Sequence, residues 1–160
     1  MSRPIRVLFL CLGNICRSPL AEGIFRDHVT NAGCEREFVI DSAGTSSYHA
    51  GEPPDPGSVR VAQAHGLDIR AQRSRGLLED DLDTFDFIIP MDRRNRSRLE
   101  GSMPAERIPL VREFDPDATN GFDVPDPYGG GANGFEDVYR MLLRSMPGLT
   151  AHMRSHGPRA

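Results

Sequence analysis

Residues 5–19 read Ile5-Arg-Val-Leu-Phe-Leu-Cys11-Leu-Gly-Asn-Ile-Cys-Arg17-Ser-Pro19, and this stretch decides the fold. Ile5 to Leu10 is apolar except for Arg6, the pattern of a strand buried on both faces of a sheet. Ser18 and Pro19 mark a helix start, with Ser18 read as N-cap and Pro19 as the first helical residue. Leu20, Ile24 and His28 or Val29 recur at helical spacing until Asn31-Ala-Gly33 stops the helix. Strand, short loop and helix follow one another directly.

Outward from there, Phe38 to Ile40 is a second strand leading into a loop from Asp41 to Pro56. Gly57 to His65 is a helix ended by Gly66. Phe85 to Ile89 is a third strand closed by Pro90, Asp92 to Leu99 a short polar helix, and Ile108 to Val111 a fourth strand. Arg112 to Asn133 is rich in Asp, Pro and Gly and reads as a loop, long enough that function explains it better than slack. Phe135 to Met153 closes the chain as a helix with Val138, Met141, Leu142 and Met146 on one side. Strands alternating with helices imply an α/β fold with a parallel sheet covered on both faces. The length of 160 residues fits one domain, residues 1–160, with a single core.

Composition narrows the function. A net charge of −4 gives no sign of a nucleic-acid-binding surface. No apolar run approaches the ~20 residues that cross a bilayer, and Val7 to Leu10 is too short for a signal-peptide core. Cytoplasm is the expected compartment, with no membrane partner. Three cysteines make neither a disulfide framework nor, at these spacings, a zinc site. Lysine is absent, all 19 Lys-plus-Arg positions being arginine. That removes the lysine-containing phosphate loop of nucleotide hydrolases and all Schiff-base chemistry.

Cys11 to Arg17 has the form C-x5-R between a strand and a helix. Backbone N–H groups of such a loop and the positive end of the helix make an anion cradle. Gly13 lets the backbone turn and approach a ligand. Arg17 adds a planar fork of donors matched to two phosphate oxygens. Thiols at helix N-termini beside cations ionise more readily, so one loop supplies both an oxyanion site and a nucleophile. The bare pattern also fits a buried cysteine at a strand end; Gly13, Ser18-Pro19 and the flanking elements favour the cradle. Ester cleavage further needs a proton donor, and Asp115, Asp117, Asp123 and Asp126 are all candidates in the long loop. Asp126 stands out beside Pro127 and Tyr128, though composition does not choose it.

Cys11-Leu-Gly-Asn-Ile-Cys-Arg-Ser-Pro19 with Asp126-Pro-Tyr128 resembles the low-molecular-weight protein tyrosine phosphatases. Asp41-Ser-Ala-Gly-Thr45, Gly51-Glu-Pro-Pro54 and Met91-Asp92 extend the resemblance over nearly the whole chain. It implies a three-layer α/β fold, a four-stranded parallel sheet flanked by helices with the phosphate-binding loop after the first strand, and two-step hydrolysis without metal or other cofactor. By the same resemblance Cys11 attacks phosphorus, Arg17 binds the equatorial oxygens and Asp126 protonates the leaving phenol. Ser18 would hydrogen-bond the thiolate, and Asn14 would hold the loop in shape. Leu12, Gly13, Ile15 and Cys16 complete the substrate-binding loop, and Tyr48 and Tyr128 match its aromatic walls. Implied partners are phosphotyrosine-containing proteins and small aryl phosphates, with inorganic phosphate as product and inhibitor.

Relatives specialised for phosphoarginine carry Thr in place of Ile15, so Ile15 points to phosphotyrosine. Cys16 matches a second family cysteine that could form a reversible disulfide with Cys11; Cys34 reads as structural. Two departures stand out. Gly129-Gly-Gly131 replaces a second tyrosine, which removes a phosphorylation switch and implies a more mobile loop. Gln72 replaces a histidine that braces the loop asparagine, so tuning is expected there. A thiol-dependent arsenate reductase would need cysteines beyond Cys34, and none follows. A non-catalytic oxyanion-binding protein has no need of the Cys11, Arg17 and Asp126 set.

Overall fold

The computed structural model describes residues 3–160. Strand β1 (Ile5–Cys11) lies between β2 (Phe38–Gly44) and β3 (Phe87–Pro90), and both pairings are parallel. Val7 aligns with Ile40 on one side and with Phe87 on the other. The central position explains the unbroken apolar run: Val7, Leu8, Phe9 and Leu10 are all fully buried. Each such side chain contributes about 1.5–3 kcal/mol on burial.

The pleat divides β1 between two cores. Val7 and Phe9 join helices α1 (Arg17–Asn31), α2 (Pro56–Ala64) and α5 (Ala132–His156) through Leu20, Ile24, Phe25, Val61 and Leu142. Leu8 and Leu10 face a smaller core with Ile88, Leu99, Met103 and Ile108, covered by the short helices α3 (Asp81–Thr84) and α4 (Arg93–Ser97). Helices thus cover both faces, the second one thinly. Among the described residues no helix is long and apolar enough to cross a membrane.

Several expectations are corrected. The sheet has three strands among the described residues, not four. Ile108 and Leu110 are buried as a strand would bury them, but Pro109 has no N–H to donate to a ladder, and a 3-10 turn begins at Val111. β2 runs on to Gly44 rather than ending at Ile40, so Ser42 and Ala43 belong to the sheet. Helix α1 starts at Arg17 with Cys16 as its cap residue, and Ser18 lies inside the first turn. Pro19 is tolerated there because the first-turn N–H groups have no intrahelical acceptor. Asp55 caps α2 by accepting from Gly57 N, and Asp92 with Asn95 forms a capping box on α4.

Candidate active site

The turn from β1 into α1 is held from beneath by Asn14. Its φ of 56° puts a non-glycine residue in the left-handed region, a strained conformation that surrounding contacts must enforce. Asn14 Nδ2 donates to Ser18 Oγ at 2.8 Å and to Ser42 Oγ at 3.0 Å, while Oδ1 accepts from Arg75 N at 3.0 Å. The backbone donor fixes which way the amide faces. The left-handed residue of the turn is therefore Asn14; Gly13 serves close approach instead, since a Cβ there would stand 3.1 Å from His49 Cδ2.

Cys11 is 2% exposed at the floor of the turn. Its sulfur lies 3.0 Å from Ser18 Oγ and accepts from Asn14 N at 3.3 Å. Because Asn14 donates to Ser18 Oγ, the single serine proton is left for the sulfur at 3.0 Å or Ala43 O at 3.4 Å, and the sulfur is the nearer. The chain of donors runs further back. Ser42 Oγ donates to Glu22 Oε1 at 2.8 Å, and Arg26 Nε donates to Glu22 Oε2 at 3.0 Å. Burial pushes the Glu22 carboxyl up from its ordinary range, against the pull of Ser42 and Arg26.

Arg17 is also buried, its side chain 3% exposed. Nη1 donates to Asp92 Oδ2 at 2.6 Å and to Val124 O at 3.0 Å, so one edge of the guanidinium is fully occupied. Nη2 lies 3.8 Å from Asp126 Oδ2, and Nε has no partner among the described residues. Burial opposes the guanidinium charge, but Cys11, Asp92 and Asp126 outweigh it and raise the Arg17 pKa. Among the described residues the N–H groups of Gly13, Ile15 and Cys16 likewise find no acceptor in the protein. A buried cation with unpaired donors beside free amides is an oxyanion cradle in geometry as well as in pattern.

A cavity of about 400 Å³ opens above Cys11. Leu12, Gly13, Ile15, Cys16 and Arg17 line its floor, and Tyr48, His49, Asp126 and Tyr128 its sides. Asn14 and Ser18 do not reach the cavity; they are buried behind it. Tyr48 and Tyr128 are 84% and 60% exposed, which makes them rim walls rather than core. Of the four candidate acids only Asp126 lines the cavity. Asp115 is buried against Arg112 and Arg144, Asp123 holds Arg93, and Asp117 stands 3.5 Å from Arg144. Tyr128 N donates to Asp126 Oδ1 at 3.0 Å, leaving Oδ2 toward Arg17.

Burial, with Asp55 and Asp126 adding to it, pushes the Cys16 thiol well up, so Cys16 is held protonated. Cys34 is buried in the larger core and does not line the cavity. Gln72 does not brace Asn14: its Nε2 donates to Pro19 O at 3.0 Å. The two serines already take both protons of the Asn14 amide, and Arg75 N donates to its oxygen. The sequence reading missed two further residues. His49 sits between the walls, its ring 4.8 Å from that of Tyr48 and 6.2 Å from that of Tyr128. Glu22 ends the donor chain.

Residues 6–158 match the family "Low molecular weight phosphotyrosine protein phosphatase". The chain belongs to that family. A low molecular weight phosphotyrosine protein phosphatase of Schizosaccharomyces pombe is 41% identical over 146 residues, 89% of this chain and 93% of that one. The solved structure of a protein tyrosine phosphatase from Entamoeba histolytica, with Hepes in its active site, superposes with a TM-score of 0.88 at 33% identity, covering 95% and 98% of the two chains. That of YfkJ from Bacillus subtilis gives 0.87 at 36% identity, covering 97% and 98%. The family membership accounts for the cradle, which in this member of the low molecular weight phosphatases carries His49 between its two tyrosines.

Proposed function

We propose that this chain hydrolyses phosphotyrosine monoesters through a phosphocysteine intermediate on Cys11, without a metal. The observation that carries the reading is the convergence on one cavity of a buried sulfur, a buried arginine with unpaired donors and a single carboxylate. The phosphate oxygens sit among the loop N–H groups and the free edge of Arg17. The Cys11 thiolate attacks phosphorus, the S–P bond forms and the aryl P–O bond breaks. Asp126 gives its proton to the departing phenolate oxygen.

In the second step water attacks phosphorus, its proton passes to Asp126 and the S–P bond breaks. Ser18 and Asn14 N donate to the sulfur as it regains charge, which improves it as a leaving group. Arg17 and the loop amides stabilise both transition states; such preorganised electrostatics is usually the largest contribution to the rate. Inorganic phosphate leaves the same cradle and so inhibits by occupying it. Leu12, Gly13, Ile15 and Cys16 complete the floor, and the rings of Tyr48 and Tyr128 flank the phenol. A slot flanked by two rings favours the longer phosphotyrosine side chain over phosphoserine, and the apolar Ile15 favours an aryl ester over phosphoarginine. The working compartment in this reading is the cytoplasm, and the whole of 1–160 acts as one phosphatase domain.

Turnover of phenyl phosphate and of a phosphotyrosine peptide, measured in chelator at mildly acidic pH, tests the reading. Wild type is expected to turn over both, Cys11→Ser neither. Absence of turnover by fully reduced wild type overturns it.

A further inference from the structure

Residues 92–98 read Asp-Arg-Arg-Asn-Arg-Ser-Arg, a run of guanidinium groups beside the active site. Two of them are engaged: Arg93 pairs with Asp123 at 3.4 Å, and Arg96 stands 3.9 Å from Glu113. Arg94 and Arg98 are exposed. Among the described residues neither forms an ion pair or donates a side-chain hydrogen bond. Arg94 lies on α4 and Arg98 is its C-terminal cap residue, so two unpaired guanidinium groups stand on one short segment. Cations that the protein itself leaves unpaired are available to an external anion.

A second cavity, of about 320 Å³, lies between this pair and the active site. Arg94 and Arg98 line it, together with Thr45. Leu12, Arg17 and Asp126 line it as well, and these three also line the active-site cavity, so the two spaces share a wall. The two carboxylates that line the second cavity, Asp92 and Asp126, are already engaged. Asp92 holds Arg17 and caps α4, and Asp126 accepts from Tyr128 N and faces Arg17.

We propose that Arg94 and Arg98 form an anion subsite next to the catalytic cradle. It takes a second oxyanion of the substrate, a carboxylate of a flanking Asp or Glu or a second phosphoryl group. The assignment rests on the phosphotyrosine reading above. A guanidinium fork matches either oxyanion, two donors to two oxygens. Because both arginines face solvent, the interaction selects and steers substrates rather than gripping them, and salt weakens it. On a protein of net charge −4, a local cationic wall at the mouth is what draws an anionic peptide in.

The test compares kcat/KM on phosphotyrosine peptides of one length at low and high salt. One has neutral flanks, one has Glu at the positions around the phosphotyrosine, and one carries a second phosphotyrosine. Wild type is expected to prefer at least one anionic peptide over the neutral one by about tenfold at low salt, chiefly through KM. In the Arg94→Ala/Arg98→Ala double variant the ratio falls to about one, and Arg94→Glu/Arg98→Glu inverts it. A preference confined to the doubly phosphorylated peptide assigns a second phosphoryl group. A preference shared with the Glu peptide assigns oxyanions in general. An equal ratio in wild type and both double variants, or no preference in wild type, overturns the subsite. If wild type turns over phenyl phosphate yet ignores the flanks, only the subsite fails; if it turns over nothing, the phosphatase reading fails first.

Discussion

Arg17 Nη1 donates to Asp92 Oδ2 at 2.6 Å, and this contact sets which edge of the guanidinium faces the cavity. With Val124 O taking a second bond from the same nitrogen, Nε and Nη2 are left for a ligand. Asp92→Asn keeps an oxygen to cap α4 but removes the charge that orients Arg17. Misplacing a catalytic group by about 1 Å costs up to ~100-fold. The expected outcome is a 10- to 100-fold fall in kcat/KM with weaker inhibition by phosphate, while urea unfolding shows the fold retained. Unchanged phosphate inhibition would show that Arg17 is oriented by Val124 alone.

Asp126 is the only carboxylate of the long loop that lines the cavity, and the reading makes it the proton donor to the leaving group. Its removal must therefore matter in proportion to how badly the leaving group needs a proton. Asp126→Ala is expected to lose about 10²- to 10⁴-fold in kcat on phenyl phosphate, and far less on an aryl phosphate with an acidic phenol. Equal losses on the two esters would assign Asp126 a binding role instead.

Asn14 joins backbone strain to the donor chain behind Cys11. Asn14→Ala keeps the positive φ, strained for alanine, and deletes three hydrogen bonds. Asn14→Gly deletes the same bonds but accepts that φ freely. Strain of this kind is worth about 1–3 kcal/mol, so the glycine variant should unfold at the higher urea concentration. Both variants release Ser18 to turn its proton toward Ala43 O, 3.4 Å away, and kcat should fall about tenfold in each. Wild-type kcat in both would leave the chain a purely structural brace.

The parts of this site written in contiguous residues were legible, and the parts that depend on distant segments were not. Cys11, Arg17 and the flanking strand and helix share one local pattern, so the sequence located the cradle. Ser18 read locally as a helix cap, and only the family resemblance pointed its hydroxyl to the sulfur; the structure puts Ser18 inside the first turn, 3.0 Å from Cys11 Sγ. Glu22 and Arg26 stand four residues apart on α1, a spacing that by itself carries no sign of burial. Glu22 is buried because β2 extends to Gly44 and brings Ser42 against it. The missing fourth strand turns on Pro109, which keeps Ile108 and Leu110 in the core without a ladder. His49 gave no local signal, since a loop histidine is normally solvated.

Asp115, one of the rejected acids, makes a separate prediction about pH. Its side chain is fully buried; it accepts from Arg144 Nε at 2.8 Å, Arg112 Nε at 3.0 Å and Asp117 N at 2.9 Å, tying the start of the long loop to α5. Burial pushes the carboxyl up, but the bonds from Arg144, Arg112 and Asp117 N outweigh it and hold the pKa at about 2. In the unfolded chain the value is about 3.9. A depressed folded-state pKa gives stability that is complete above the unfolded value and disappears as pH falls through the folded one. The contribution is about 2–3 kcal/mol at neutral pH, lost progressively as pH falls from about 4 through about 2. Asp115→Asn cannot titrate, so urea unfolding of wild type and variant should differ most at pH 6 and converge toward pH 2.5. A constant gap across that range would mean that Asp115 stabilises the loop by packing and neutral hydrogen bonds, not by its charge.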